Sequence, residues 1–105
     1  MDKLLEIMKA MDIPFAYDHF AEGEAVDPPF ICYLLPDSDN FAADGRVYFK
    51  ANEVHIELYT DTKDLSVEQQ VEAVLDEHGI YYDRSEVWIE SEKLYEVLYT
   101  FEMEA

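Results

Sequence analysis

The sequence predicts one α+β domain over residues 1–105, with two helices packed on one face of a mainly antiparallel sheet. Two observations carry this prediction. Apolar residues recur at helical spacing in two segments, and they alternate with polar residues, as in half-buried strands, in several others. The segments follow one another roughly in the order α-β-β-β-α-β-β, without a repeat or a linker between them.

The first helix is predicted over residues 2–12. One apolar stripe runs along it at positions i, i+3, i+4 and i+7. Its members are Leu4, Ile7, Met8 and Met11. Proline disfavours the helical conformation of the residue before it, so Pro14 marks the end of the helix. The stripe favours packing of this helix against the core.

Two strands are predicted in the next part of the chain. Phe15–Phe20 alternates as a short strand, and Phe30–Leu35 is continuously apolar, as expected of a buried central strand. Residues 36–40 are rich in turn-forming residues and predict a loop. Residues 41–45 predict an irregular link that ends in an Asp44-Gly45 turn.

Residues 46–59 belong to the stretch around which the sheet is organised. Val47 and Phe49 share one parity, whereas Ile56 and Leu58 share the other. Such a switch requires either a tight turn or a bulge. The pattern therefore leaves two interpretations open, namely two short strands or one bulged strand.

The second helix is predicted over residues 67–78. Ser66, followed three residues later by Gln69, is typical of a capping box at a helix start. Glu68 and Glu72 are expected on the solvent-exposed side of this helix, opposite its apolar stripe.

Gly79 is suited to end the second helix in the left-handed conformation. Two further strands are then predicted, over residues 80–90 and 94–103. Residues 91–93 between them have the length of a hairpin connection.

The charge balance is strongly acidic, because 25 Asp and Glu residues against 7 Lys and Arg residues give a net charge of −18. Binding to a nucleic-acid backbone needs clustered cations, so direct nucleic-acid binding is disfavoured. Three interpretations remain: a partner with a basic surface, a surface that repels phosphates, or acidity that only maintains solubility. No apolar run approaches the length of a transmembrane helix, so no membrane span is predicted.

The sequence predicts no enzyme, no cofactor and no metal site. The three histidines stand apart at positions 19, 55 and 78, without the spacing of zinc ligands. The single cysteine, Cys32, lies in an apolar run and is expected to be a small buried residue. Eight tyrosines with acidic neighbours instead suit a protein–protein interface, and an exposed edge strand would offer another contact.

Three stretches carry a resemblance to a known family. They are residues 41–45 (FAADG), residues 54–64 together with Glu68, which include ELYT-x-x-KD, and residues 87–95, which overlap SEKLYE. Over about residues 30–102 the chain resembles small prophage proteins of the tail-terminator and tail-completion (head–tail joining) family of long-tailed bacteriophages.

This resemblance implies an αβββαββ-like fold that assembles into a ring, often a hexamer, at the head-proximal end of the tail. The expected partners are further copies of the chain and other phage head–tail or tail proteins. The expected location is the host cytoplasm during assembly and then the virion tail. The family brings no catalytic residues with it.

Two polar elements are predicted as contact sites for these partners. One is the loop with Asp61, Lys63 and Asp64, and the other is the hairpin with Glu90, Glu92 and Lys93. The alternative, from another functional class, is an acidic inhibitor that mimics DNA and occupies the basic groove of a nucleic-acid enzyme. The charge supports that alternative, whereas the family resemblance favours the tail protein.

Overall fold

The computed structural model describes residues 2–20, 26–36, 38–43 and 46–104. It confirms the α+β class, with two helices and a mixed, mainly antiparallel sheet. One strand more than predicted lies before the second helix. The elements are α1 (Asp2–Ala10), β1 (Phe15–Tyr17), β2 (Phe30–Leu34), β3 (Ser38–Ala43), β4 (Arg46–Thr60), α2 (Leu65–Glu77), β5 (Asp83–Ile89) and β6 (Leu94–Glu104).

The strands form one sheet in the spatial order β1-β2-β4-β6-β5, with β3 also paired to β4. β1 and β2 run parallel, and all other neighbours are antiparallel. The long strand β4 is the centre of the sheet. β6 pairs with one of its edges over residues 51–60, while β3 and β2 share the other edge, against residues 46–52 and 55–59 respectively.

Both helices pack on the same face of this sheet. Side chains alternate between the two faces of a strand, and Val54, Ile56 and Leu58 of β4 are fully buried in one core with both helices. The apolar stripe predicted for α1 is confirmed, since its four residues are at most 2% exposed. Val71 and Leu75 of α2 join the same core. Both helices of the described chain therefore lie on one face of the sheet.

The second helix begins two residues earlier than predicted and uses a different cap. Asp64, not Ser66, is the N-cap residue, with extended backbone at φ −134° and ψ 93°. Its carboxylate accepts the backbone N–H groups of Ser66 and Val67, which have no carbonyl partner inside the helix. The capping box predicted from Ser66 and Gln69 is therefore wrong. Gly79 has a φ of 67°, as predicted for the residue that ends the helix.

The residues predicted as a loop and an irregular link form a strand instead. β3 pairs with the first half of β4, so the prediction for residues 36–45 is wrong over Ser38–Ala43. Pairing with β4 satisfies the backbone of these residues in spite of their turn-forming composition. The predicted Asp44-Gly45 turn lies outside the described residues.

Residues 46–59 form one irregular strand and not two short strands, because β4 is continuous. Its register with β3 shifts between two pairs, Phe41 with Phe49 and Ala42 with Val47. Two residues of β3 thus face a stretch of three in β4, which is the pattern of a bulge. The parity of the apolar residues switches at Asn52-Glu53, whereas the register shift lies several residues earlier, between Val47 and Phe49.

β3 and the first half of β4 form a two-stranded arm, which we define as residues 38–43 and 46–50. Within the described chain, residues 46–50 pair only with β3, because β6 reaches no farther than Ala51. A strand of 15 residues is about 50 Å long, which matches the 50 Å length of the molecule. The radius of gyration is 15.0 Å, against about 13 Å for a compact domain of this size. The arm therefore projects beyond the packed sheet.

Candidate interaction surfaces

The face of the sheet opposite the helices is a mixed apolar and acidic surface, which we call the open face. Alternation along the strands assigns to it the residues between the buried positions. Across four strands these residues form two rows, Cys32–Glu57–Leu98–Ser85 and Phe30–Tyr59–Glu96–Val87. No helix in the described part of the chain covers them.

On the open face, the carboxylates of Glu57 and Glu96 both lie within hydrogen-bond distance of the Tyr59 hydroxyl. The Tyr59 hydroxyl lies 3.0 Å from Glu57 Oε1 and 3.2 Å from Glu96 Oε2, and it can donate its proton to either. Burial raises the pKa of Glu57, the hydrogen bond from Tyr59 opposes that shift, and the charge of Glu96 raises the pKa again. Among the lysine and arginine side chains outside residues 37–51, none forms an ion pair with either carboxylate. The open face thus holds negative charge that these residues do not neutralise.

Aromatic rings frame one end of the open face. Phe30 stacks on Tyr59 with ring centroids 5.1 Å apart, and Phe20 meets Phe30 edge-on at 5.5 Å. Cys32 in the neighbouring row is buried, as predicted, but it lies on the face opposite the helices. Burial raises the pKa of its thiol to about 11, so the thiol stays protonated and unreactive at neutral pH.

On the helix side of the sheet, an ion-pair network ties α2 to β5. Glu68 is only 3% exposed, and it contacts Arg84 Nη2 and, at 2.7 Å, Lys63 Nζ. Both cations also contact Glu86, Lys63 at 2.6 Å and Arg84 at 3.2 Å. Arg84 Nε lies 3.5 Å from Glu72 as well. The network therefore fixes the start of α2 against the edge strand.

The exposed position predicted for Glu68 is wrong. Glu68 stands three residues before Val71 and seven before Leu75, so it shares the buried stripe of α2. Its burial is tolerated because two cations and their hydrogen bonds compensate the carboxylate. Glu72, expected on the same exposed side, is half-buried.

Two of the three residues predicted as contacts in the loop before α2, Lys63 and Asp64, interact with other residues of the same chain. Lys63 belongs to the ion-pair network, and the Glu68 and Glu86 carboxylates raise its pKa. Asp64 caps α2, and hydrogen bonds from Ser66 lower its pKa. Asp61 is exposed. A contact role for this loop stays a prediction, with Asp61 as its most accessible acid.

Replacing Asp64 with alanine is expected to lower the melting temperature by several degrees at neutral pH, because two backbone N–H groups of α2 lose their acceptor. The folded state lowers the pKa of Asp64 below its ordinary value of 3.8. This stabilisation is therefore present above that value and is lost as the pH falls through the folded pKa. Circular dichroism melts at a series of pH values should show the gap to wild type closing in acid. An equal gap for Asp61→Ala would contradict the capping role.

The hairpin between β5 and β6 is exposed at all three predicted contact residues, Glu90, Glu92 and Lys93. Lys93 Nζ contacts Glu90, Trp88 Nε1 donates to Glu90 at 2.6 Å, and these two interactions lower the pKa of that carboxyl. Trp88 also packs on Tyr95, with ring centroids 4.8 Å apart. No ion pair among the described residues joins this hairpin to the loop before α2.

Other kinds of site have less support in the described residues. They contain no group of three or more His, Cys, Asp or Glu side chains placed to hold a metal ion, and no helix among them combines the length and apolar character needed to cross a membrane.

A surface groove of about 730 Å³ lies beside the end of α2. Its lining includes Lys3, His78, Tyr81, Asp83, Phe101 and Met103. The His78 ring is tied to the helix end, with Nδ1 2.8 Å from the carbonyl oxygen of Val74.

A scan against protein-family models and a search of curated proteins both return no match for this chain.

Proposed function

We propose that this chain is a structural protein of the tail of a long-tailed bacteriophage, a tail-terminator, tail-completion or related minor tail component. It acts at the head–tail junction by protein–protein assembly, with further copies of itself in a ring and with other head–tail or tail proteins. It works in the host cytoplasm during assembly and then in the virion tail. No reaction is assigned to its side chains.

The observation that carries this proposal is the arm. A two-stranded ribbon is marginally stable in water unless a third strand or another surface covers it. Residues 46–50 of β4 have only β3 beside them in the described chain, although the rest of β4 is paired on both edges or packed on helices. In the described chain no strand pairs with the second edge of residues 46–50, and such an edge can pair with a strand of a neighbouring subunit.

The charge and the resemblance support the same function. Net charge of −18 per copy disfavours adhesion of the DNA backbone to a ring through which a genome passes. Residues 41–43 of the first stretch that resembles the phage family lie in the arm, and the other two stretches form the joint between β4 and α2 and the hairpin between β5 and β6. The hairpin residues Glu90, Glu92 and Lys93 are exposed, which suits a protein that acts by assembly.

Removal of the arm tests the proposal. Deleting residues 40–50 and joining the ends with two glycines should leave a folded chain, because the core residues of β4 begin at Val54. Self-association, measured by sedimentation velocity, should be lost or weakened by at least about 100-fold. Circular dichroism melts provide the control for folding.

Two results would contradict the proposal. One is an arm-deleted protein that is folded and assembles as well as wild type. The other is a wild-type protein that stays monomeric at every concentration and inhibits a nuclease, which would favour the acidic DNA mimic.

A further inference from the structure

The outer edge of β5, which we define as the side of Asp83–Ile89 that faces away from β6, has no strand beside it in the described part of the chain. β5 pairs with β6 along its whole length without a register shift, and it contains neither proline nor glycine. The opposite edge of the sheet is shorter, because β1 has three residues and ends before Asp18, whose φ is 64°. A long, regular edge of this kind can accept a further strand.

Exposed apolar side chains lie along the outer edge of β5. Tyr81, just before the strand, is 92% exposed, and Val87 and Trp88 within the strand are exposed as well. Side chains alternate along the strand, so Ser85 and Val87 lie on the open face. Free backbone groups next to exposed apolar side chains are the two features of a site for strand addition.

The charges of β5 indicate a second copy of the same strand as the partner. When two antiparallel copies are related by a two-fold axis, each residue lies opposite a residue of the same face. With Ser85 on that axis, Arg84 lies opposite Glu86 of the second copy, and the reverse pair forms at the same time. Arg84 and Glu86 also contact each other at 3.2 Å within one chain. The four side chains therefore alternate in charge, which stabilises neighbouring strands.

The two neighbouring registers are less favourable. An axis at Glu86 would place two carboxylates directly opposite each other, and an axis at Arg84 would do the same with two guanidinium groups. Like charges at such positions destabilise a sheet. The axis at Ser85 also brings the exposed Tyr81 opposite Ile89 of the second copy. Charge and apolar contact therefore favour the same register.

We propose that the outer edge of β5 binds the same edge of a second copy in antiparallel orientation, with Ser85 on the two-fold axis. The two sheets then continue into each other, with the helices of both copies on one side. This inference goes beyond the proposed function, because an isologous contact closes after two copies and uses a different strand from the arm. The contact is small, and small interfaces are weak and transient, so pairs are expected at micromolar concentration and above.

Ser85→Cys tests the position of the axis. Residues directly opposite in a sheet have the Cα separation that a disulfide spans, so with oxidised glutathione this variant should form linked pairs at least about 10-fold faster than Val87→Cys. Val87 is the matched control on the same face of the same strand, but in the proposed pair its two copies lie about 13 Å apart along the strands. Wild type, whose Cys32 is buried, should not form linked pairs.

A mixture of two variants tests the register. Asp83→Cys and Val87→Cys should each link slowly when alone, because in each case the two identical cysteines lie far apart. Their mixture should give pairs with one chain of each kind, since residue 83 lies opposite residue 87 of the second copy. A mixture that links no faster than either variant alone would contradict this register.

Ser85→Asp tests the pair without a covalent bond. Two carboxylates would then lie opposite each other with Asp83 of both copies beside them, so the dissociation constant of the pair, measured by sedimentation equilibrium, should rise at least about 10-fold. Ser91→Asp adds the same charge in the exposed hairpin and should pair as wild type does. Circular dichroism melts show whether both variants fold.

The outcomes separate this contact from the proposed function. If Ser85→Cys links no faster than Val87→Cys, the contact is wrong, while ring formation by wild type would still support the proposed function. If Ser85→Cys links selectively and wild type never forms a ring, the contact stands and the proposed function falls. A folded Ser85→Asp protein that pairs as tightly as wild type would also overturn the contact.

Discussion

Replacing Arg84 with methionine is expected to lower the free energy of unfolding by about 3 kcal/mol. Glu68 is 3% exposed and would keep only Lys63 as a partner. The burial of a carboxylate costs free energy because the group leaves water, and the loss of a charged hydrogen-bond donor leaves most of that cost unbalanced. Methionine retains the apolar packing of the arginine stem, so the loss reports the charge rather than the volume. Urea denaturation followed by circular dichroism measures it.

Two further variants test whether the loss of stability in Arg84→Met comes from the uncompensated Glu68 carboxylate. The double variant Glu68→Leu with Arg84→Met should recover most of the stability, because replacing a buried ion pair by apolar residues of similar size is often nearly neutral. Lys93→Met, in the exposed pair with Glu90, should leave the midpoint of urea denaturation nearly unchanged, because water screens an exposed ion pair. A double variant no more stable than Arg84→Met would show that Glu68 does more than balance the two cations.

Replacing Ile56 with aspartate is expected to unfold the domain at room temperature. Ile56 is fully buried at the centre of β4, between the helices and the sheet. An aspartate there would lie among apolar side chains without a partner, and such substitutions cost at least about 4 kcal/mol, most of the stability of a typical small domain. The loss of the cooperative melt by circular dichroism is the measurement.

One control for Ile56 changes the same position conservatively, and the other introduces the same charge at an exposed position on another strand. Ile56→Val removes one methylene group and should cost about 1 kcal/mol while the cooperative melt is kept. Val87→Asp introduces the same charge at a 52% exposed position of the open face and should leave the domain folded. A folded Ile56→Asp protein would mean that the two faces of β4 have been assigned the wrong way round.

Local patterns in the sequence predicted the packed half of the fold. The stripe of α1, the alternation of Val54, Ile56 and Leu58, and Gly79 at the end of α2 each follow from a periodicity or a backbone preference that the chain carries locally. The strand at residues 38–43 could not be predicted in this way. Its turn-forming residues are held extended by pairing with β4, and pairing is a long-range property that a local pattern does not contain.

The candidate surfaces also contain features that follow from a local pattern and features that depend on contacts between distant residues. The parity of β4 already placed Glu57 and Tyr59 on the side opposite the core. The approach of Glu96 depends on the register between β4 and β6, which joins residues 37 apart in the chain. Glu68 is the reverse case, because its spacing to Val71 and Leu75 was visible in the sequence. Its acidity outweighed that spacing in the prediction, since the compensating Arg84 lies on a different element.

The proposed function requires that this chain joins with copies of itself. The molar mass of the wild-type protein, measured by light scattering from nanomolar to high micromolar concentration at physiological salt, tests it most directly. The account predicts a rise to a fixed whole multiple of the single-chain mass, with closed rings in electron micrographs of the same sample. A mass equal to one chain at every concentration would contradict it.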